Sequence, residues 1–252
     1  MPTHLRGIAC LLFSAILFPT PSFSQYTNVP KYQFGVGAGF LVYQGDLTPE
    51  QVGAYRSPRL SVNLMASRLL SPSFALRANL VLGGLRSSDS NYANPEWRQH
   101  RNFGFRSSVV ELSLTPEWNI LGKNYSEKGL SPYIFAGIGY SFLRVRRDYS
   151  QFDVAYFGDG SEILNGLAVD EAVDPPRGQF SVPVGIGLRY FFSDRIGLQA
   201  ESTYRLINTD YLDGFSEAAN PDRKDSYHGH SISVVFRFGR KNTLDCPPSL
   251  GY

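Results

Sequence analysis

The sequence predicts an all-β protein: an eight-stranded antiparallel transmembrane barrel of the outer-membrane type, after a cleaved signal peptide. Apolar residues alternate with polar or small ones along almost every apolar run after residue 31, most clearly over 180–192. A strand points successive side chains to opposite faces. The apolar faces are rich in aromatic residues, whereas the opposite faces carry Arg, Glu and Gln. This pattern favours a barrel with lipid outside and a polar interior over a soluble sandwich.

The N-terminus is typical of an exported protein. Arg6 supplies a positive charge, residues 8–18 form an apolar core, and Ser22-Phe23-Ser24 is typical of a cleavage site. Cleavage after Ser24 would make Gln25 the first residue. The apolar core is too short for a membrane-spanning helix, and no other stretch approaches about twenty apolar residues. We therefore predict a signal peptide at 1–24, a barrel at 25–240 and a periplasmic tail at 241–252.

Eight segments have the strand pattern, at about 32–43, 58–68, 73–85, 104–118, 132–146, 180–192, 195–208 and 229–239. The links after the second and sixth are short, whereas those after the first, third, fifth and seventh are long and polar. Bacterial barrels have short periplasmic turns and long external loops. The link after the fourth segment, 119–131, is longer than this rule expects. The sequence thus predicts a protein of the cell outer membrane, surrounded by outer-membrane lipid, with both termini periplasmic.

Charged residues of both signs occupy inward positions on these strands. Eight strands enclose a lumen that side chains just fill, so a wide aqueous channel is not expected. Charges in that space should pair, because an unpaired buried charge costs several kcal/mol. Arg59, in the second segment, is predicted to point inward as well. The predicted lumen ion-pair network consists of Arg77, Glu111, Glu117, Arg189, Glu201, Arg205 and Arg237.

Few residues offer enzymatic chemistry. Glu111 and Glu117 could act as an acid–base pair, but an ion-pair network explains them without a substrate. His228 and His230 share the lipid-facing parity while Ser231 points the other way, and two histidines lack a third metal ligand at a fixed spacing. The 24 Lys and Arg against 22 Asp and Glu give no case for nucleic-acid binding. We predict no enzyme, no cofactor, no metal and no nucleic-acid partner.

The longest link, around 147–178, is acidic. It has two interpretations, a cation or receptor site and a solvated, mobile loop. We favour the second, since polar loops without apolar anchors rarely order themselves. Its acidic residues, against Arg147 and Arg177, are Asp148, Asp153, Asp159, Glu162, Asp170, Glu171 and Asp174.

Cys246 is the only cysteine that remains once the predicted signal peptide is removed, and it lies beyond the last strand, next to Pro247 and Pro248. A single cysteine in an oxidising compartment suggests either an intermolecular disulfide or a free thiol. A short tail with two prolines offers no core in which to bury it. Both alternatives stay open, and in the first Cys246 is a partner-binding residue.

Two short motifs carry a resemblance to a known family. Tyr43-Gln44-Gly45-Asp46-Leu47 resembles the Y-x-G-D-L signature of PorG-like outer-membrane barrels of Bacteroidetes, and Thr209-Asp210-Tyr211-Leu212-Asp213 is similar to that family's T-D-Y-L-D segment. Cys246-Pro247 is similar to a Cys-Pro pair near the family's C-terminus, and Ser131-Pro132-Tyr133 also fits. The resemblance implies an outer-membrane subunit of the type IX protein secretion machinery, associated with the periplasmic PorK–PorN ring. The acidic loop has no counterpart in it.

Two classes of function follow. In the first, the barrel is a non-enzymatic subunit that anchors a periplasmic ring of PorK/PorN-like subunits, with Cys246 as the point of attachment. In the second, it is a general OmpA-like surface barrel for envelope stability or adhesion. The tail distinguishes them, since a purely structural barrel needs nothing after Phe238.

Overall fold

Nine strands account for more than half of the residues that the computed structural model describes, which are 29–220 and 224–239. They are β1 (Tyr32–Gln44), β2 (Arg59–Leu69), β3 (Phe74–Ser88), β4 (Gly104–Asn119), β5 (Gly129–Ala136), β6 (Ile138–Asp148), β7 (Gly178–Phe191), β8 (Ile196–Ile207) and β9 (Ser226–Phe238). The α-helices of this part of the chain are short and lie in the links: α1 (Trp97–Arg101), α2 (Val154–Phe157) and α3 (Glu162–Ala172). One turn of 3-10 helix lies at Asp89–Asn91. None of these helices has the length and apolar composition needed to cross a membrane.

The sheet closes on itself. Every pairing is antiparallel, and β1 pairs with β9 from Tyr32 opposite Phe238 to Gln44 opposite Ser226. β3 pairs with β4, β4 pairs with both β5 and β6, and both of these pair with β7. The described strands leave no free edge, which satisfies the backbone groups that lipid cannot hydrogen-bond. The predicted fold class, an eight-stranded outer-membrane barrel, is confirmed.

Two strands, β5 and β6, share the fifth position of the barrel, where the sequence predicts one strand over 132–146. Gly137 separates them, and its N–H donates to the backbone oxygen of Pro183 at 3.0 Å. A Cβ added at Gly137 would overlap the backbone of Leu114 and Thr115 on β4. Glycine therefore allows a close approach of two backbones here. Both segments keep β4 and β7 as neighbours, so the barrel retains eight positions.

The two faces of the strands differ as the alternation predicts. Large apolar side chains of one parity are exposed on the outside of the barrel, among them Leu60, Leu76, Leu112, Phe142, Phe180, Ile186 and Ile232. The other parity is buried and largely polar, with Gln33, Ser67, Arg77, Glu111, Thr115, Arg189 and Ser233 as examples. A continuous exposed apolar surface is unfavourable in water, whereas lipid covers it in a membrane.

The links differ between the two ends of the barrel. The turn end holds the links 70–73, 120–128 and 192–195, and it is also where β1 begins and β9 ends. Asn119 keeps the longest of these links compact, since its side-chain oxygen accepts from the N–H groups of Leu121 and Lys123 at 3.2 Å each. The loop end holds the links 45–58, 89–103, 149–177 and 208–225.

The four links at the loop end fold together into what we term the loop-end cap. Its core of buried apolar residues joins strand ends to links, and includes Leu41, Leu47, Leu85, Phe103, Phe105, Leu143, Leu167, Leu212 and Phe215. The prediction of a solvated, mobile loop over 147–178 is wrong, because this link contains α2 and α3 and buries Leu167 and Asp170. Ile163, Leu167 and Asp170 recur at helical spacing, which a search for strand alternation does not detect.

The predicted signal peptide (1–24) and tail (241–252), including Cys246, lie outside the described residues. Their boundaries with the barrel stay predictions. The unit that the structure describes spans Pro30–Gly239 apart from residues 221–223.

Candidate functional site

Two groups of buried charges fill the lumen, and the one nearer the turn end joins five strands. Arg189 of β7 donates from both terminal nitrogens to Glu117 of β4, at 3.0 Å each. Arg77 of β3 lies 3.5 Å from the same carboxylate and forms an ion pair with Glu201 of β8. Tyr133 of β5 donates to Glu201 at 2.8 Å. The two arginines and two glutamates balance each other, as burial of charge requires.

The second group lies nearer the loop end. Arg205 of β8 donates from Nε to both oxygens of Glu111 on β4, at 3.0 and 2.9 Å. Tyr227 of β9 donates to the same carboxylate at 2.7 Å and lies 3.0 Å from the hydroxyl of Ser141. All four residues are buried. The hydroxyl of Ser141, on β6, also donates to Glu111 at 3.4 Å, so Glu111 has partners on β6, β8 and β9.

Very little space remains between the two groups. A cavity of about 30 Å³ lies in the lumen, lined by Arg77, Asn79, Glu111, Phe135, Glu201 and Arg205 among others. Paired, buried side chains therefore occupy most of the described lumen.

Two arginines lie outside these groups. Arg237 of β9 stacks on the ring of Phe191, 3.2 Å from its centroid, and donates to the backbone oxygen of Ser126. It thereby fastens the link 120–128 to the turn end of the lumen. Arg59, which the sequence places inward, is exposed and not buried in the lumen, because it lies at the rim beyond the last β2–β3 pair, Ser61 opposite Gly83.

The two short motifs, 43–47 and 209–213, meet in the loop-end cap. The hydroxyl of Tyr43, at the end of β1, lies 2.5 Å from a carboxylate oxygen of Asp213 and 2.7 Å from one of Asp225. Asp225 also accepts from the N–H of Leu212 at 3.0 Å. A Cβ added at Gly45 would overlap the side chains of Asp225 and Tyr43, so the motif requires glycine here. Residues 170 positions apart therefore share one buried polar cluster.

The remaining motif residues also hold the cap together. Asp46 accepts from the N–H of Asn220 at 2.9 Å, and Leu47 is fully buried in the apolar core with Leu212. Thr209 accepts from the N–H of Tyr211 at 3.2 Å. Asp210 and Tyr211 are half-buried beside it.

The Tyr43 cluster places two carboxyl groups beside one hydroxyl. A hydroxyl has one proton to donate, so the arrangement favours protonation of one carboxyl group. Burial raises the pKa of Asp213 to about 8. Burial also raises the pKa of Asp225, and the charge of Asp213 raises it further. The carboxyl group of Asp213 therefore changes its protonation near neutral pH.

Sequence reasoning missed two buried acids that hold the cap. Asp89 accepts from Arg98 and Arg101, at 2.6 Å each. Asp170 of α3 fixes the longest link to the link 208–225, by accepting from the N–H groups of Ser216, Glu217 and Ala218. Both acids lie in polar links. Nothing in the local sequence distinguishes Asp89 from an exposed acid, whereas Asp170 shares the helical spacing of Ile163 and Leu167.

The histidine pair lies on the outer face. His230 Nε2 is 2.8 Å from the hydroxyl of Tyr55, and Ser231 belongs to the opposite face. Across residues 29–220 and 224–239, no three His, Cys, Asp or Glu side chains are grouped so that they could hold a metal ion.

Sequence similarity to one protein family covers nearly the whole chain. The model of a family described as "Domain of unknown function (DUF6089)" matches residues 11–245. The chain belongs to the DUF6089 family. No curated protein matches this DUF6089 sequence at a significant level.

Several solved outer-membrane barrels resemble this DUF6089 barrel in fold. Ail, the attachment invasion locus protein of Yersinia pestis, solved with the heparin analogue sucrose octasulfate, is 12% identical with a TM-score of 0.45, over 83% of this chain and 99% of that chain. OprG from Pseudomonas aeruginosa is 8% identical with a TM-score of 0.46, over 84% and 98%. The outer membrane enzyme PagL is 11% identical with a TM-score of 0.37, over 81% and 99%. At such identities the similarity concerns the fold alone.

Proposed function

We propose that this DUF6089 barrel is a non-enzymatic anchor and not a pore, and that it is an outer-membrane subunit of the type IX secretion machinery that holds a periplasmic ring. The filled lumen is the observation that supports an anchor over a pore. Ion pairs of Arg189 with Glu117 and of Arg205 with Glu111 leave a cavity of about 30 Å³. A barrel filled in this way acts through its outer surface, its ends and its attached segments.

Cys246 is the proposed point of attachment for the partner. β9 ends at Phe238, at the turn end, so the tail that carries Cys246 is joined to the barrel there. An oxidising compartment permits a disulfide with a periplasmic or lipid-anchored subunit. A PorK/PorN-like ring is the partner that the PorG-like resemblance implies. In this arrangement both termini are periplasmic and the loop-end cap faces outside.

The family motifs support the fold more directly than they support the partner. Tyr43 and Asp213 are buried in the loop-end cap, at the opposite end of the barrel from the proposed attachment. A buried cluster cannot contact the ring. The resemblance therefore supports this function through its overall pattern and through Cys246.

The folded cap favours a second candidate, a general OmpA-like surface barrel for envelope stability or adhesion. Asp170 anchors α3 to the link 208–225, and the same helix region exposes Val169 and Val173. Ordered apolar side chains at a surface are suited to contact with another surface. This function needs no periplasmic partner, and in it Cys246 is a free thiol.

The variant Cys246→Ser distinguishes the two candidates. In oxidised membranes the wild-type protein should give a reducible higher-mass band on non-reducing gels and should co-purify with its partner. The variant should assemble normally, since no strand loses a side chain, but it should lose the band and much of the partner. A wild-type protein that runs only as a monomer, or a variant that keeps the partner at full yield, would contradict the anchor function and favour the surface barrel.

The same thiol tests the orientation. Because a maleimide reacts only with a free thiol, the proposed disulfide is first reduced. A membrane-impermeant maleimide should then label Cys246 only after the outer membrane is permeabilised. The matched control is Ser90→Cys in the Cys246→Ser background, because Ser90 is exposed in the loop-end cap. It should be labelled in intact cells, and the reverse pattern would place the loop end in the periplasm.

A further inference from the structure

We propose that a cluster of arginines on the outside of the barrel binds a phosphorylated lipid of the surrounding leaflet. Arg86, Arg106 and Arg146 occupy directly paired positions on the neighbouring strands β3, β4 and β6. All three belong to the lipid-facing parity, near the loop end. Two more arginines complete the set. Arg144 is paired with Ser108, one row nearer the turn end, and Arg59 lies at the start of β2. We term these five residues the arginine surface.

A groove of about 600 Å³ runs through the arginine surface. It opens where β2 and β3 separate, because their pairing stops at Ser61 opposite Gly83, whereas β3 and β4 stay paired up to Ser88 opposite Gly104. The described residues that line it include no acid. Its charged residues are Arg59, Arg106, Arg144 and Arg146.

No described carboxylate lies within ion-pair distance, 4.0 Å, of these arginines. Each of the lumen arginines Arg77, Arg189 and Arg205 is in an ion pair, whereas none of the ion pairs among the described residues includes a member of the arginine surface. Like charges placed directly opposite each other on neighbouring strands repel. An anion that lies against the paired row of Arg86, Arg106 and Arg146 would relieve this repulsion.

Two acids, Asp148 and Asp174, lie at the edges of the arginine surface. Asp148 follows Arg146 by two residues on β6, opposite Gly104. Asp174 lines a separate groove with Arg144 and Arg177. Neither acid forms an ion pair with the arginine surface among the described residues, so both leave its main groove open to an external anion.

The surroundings of the arginine surface select a lipid as the source of that anion. One row nearer the turn end than Arg144, the paired positions are apolar, with Leu82 opposite Val110 and Val110 opposite Phe142. Acyl chains can pack there while the guanidinium groups reach phosphates at the bilayer surface. Arginine binds phosphate through parallel N–H donors, and basic clusters beside a bilayer attract anionic lipids. A diphosphorylated, acylated glycolipid offers phosphates to the guanidinium groups and acyl chains to the apolar row.

The orientation proposed above decides only which leaflet supplies this lipid. Binding itself can be measured on the purified full-length barrel, whichever way the protein faces in the cell. A failure to bind lipid therefore leaves the secretion-anchor function untouched. Equally, a failure of the anchor function leaves the lipid proposal untouched.

Lipid retention in nanodiscs tests the proposal. The barrel is placed in nanodiscs of phosphatidylcholine mixed with diphosphoryl lipid A, and the lipid that stays bound after release is counted by native mass spectrometry. The wild-type protein should retain lipid A in preference to phosphatidylcholine. The variant Arg86→Gln/Arg106→Gln/Arg146→Gln should retain at least about tenfold less. Lipid A without its phosphates, with the same acyl chains, should not be retained.

The matched control removes the same charge at the turn end. The variant Arg68→Gln/Lys128→Gln/Arg195→Gln changes exposed residues there and should retain lipid A at the wild-type level. Circular dichroism verifies folding, and the single variant Arg106→Gln replaces the triple one if that fails to fold. The proposal is overturned by equal retention in wild type and arginine variant, by equal loss in the control, or by retention of the dephosphorylated lipid. Displacement of lipid A by inorganic phosphate at a similar concentration also overturns it, since the ligand would then be a soluble anion.

Discussion

Glu117 lies between two arginines in the lumen, 3.0 Å from Arg189 and 3.5 Å from Arg77. Removing one member of a buried ion pair leaves an uncompensated charge, which costs about 3–5 kcal/mol. Because Arg77 also pairs with Glu201, the four charges depend on one another. At the scale of single residues, the lumen is therefore a connected network in which each charge stabilises the burial of the next.

Asp213 makes the stability of the loop-end cap depend on pH. Burial raises its pKa to about 8, whereas the pKa of an aspartate in an unfolded chain is about 3.9. The folded protein holds a proton that the unfolded chain releases, so this contribution to stability is fully present below about pH 4 and is lost as the pH rises through about 8. We predict a lower free energy of unfolding in urea, measured in lipid vesicles, at about pH 9 than at about pH 6.

The variant Asp213→Asn should weaken this pH dependence, because an amide keeps the shape of the side chain but does not titrate. Asp159→Asn is the matched control, since Asp159 is exposed and its replacement should leave the dependence unchanged. An identical pH dependence in wild type and Asp213→Asn would show that Asp213 is not the group responsible.

At the scale of elements, the junction of β5 and β6 depends on the absence of a side chain at Gly137. An alanine there would press its methyl group into the backbone of Leu114 and Thr115, and overpacking of this kind costs about 1–3 kcal/mol. We predict that Gly137→Ala lowers the free energy of unfolding by this amount. Gly104→Ala is the control, since its nearest neighbour would be the flexible side chain of Ser88 at 3.3 Å. Equal stability of the two variants would contradict the role of Gly137.

Alternation was sufficient to predict most strands, because the two faces of each strand meet different surroundings. It places β1 at 32–43 where the structure has Tyr32–Gln44, and β8 at 195–208 where the structure has Ile196–Ile207. It could not predict the break at Gly137, because the reason for that break lies in the backbone of the neighbouring strand. Nor could it predict the attachment of α3, whose partners for Asp170 are 46 to 48 residues away.

The site was predictable only in part. Parity identifies the inward charges, but which arginine meets which carboxylate depends on the stagger of the strands around the barrel. Arg77 and Glu201 are 124 residues apart and face each other across the lumen. No spacing in the sequence specifies such a contact. The Tyr43 cluster likewise requires Asp225, which belongs to neither motif.

At the scale of the whole molecule, the two ends of the barrel differ, which gives the protein a direction in the membrane. Asn119 and Arg237 hold the turn end through a compact link, and four folded links form the cap at the other end. Between them the lumen is filled with paired charges. Within the part of the chain that the structure describes, the surfaces to which we assign a function are the loop-end cap and the arginine surface.

Single-channel recording in planar bilayers tests the filled lumen most directly. We predict that the purified wild-type barrel gives no stable current steps, under conditions in which an open porin inserted in parallel gives clear ones. A fluorescent label on Cys246 can verify that the barrel has inserted. Stable, porin-sized conductance from the wild-type protein would contradict the filled lumen, and with it the proposal that this barrel is an anchor and not a pore.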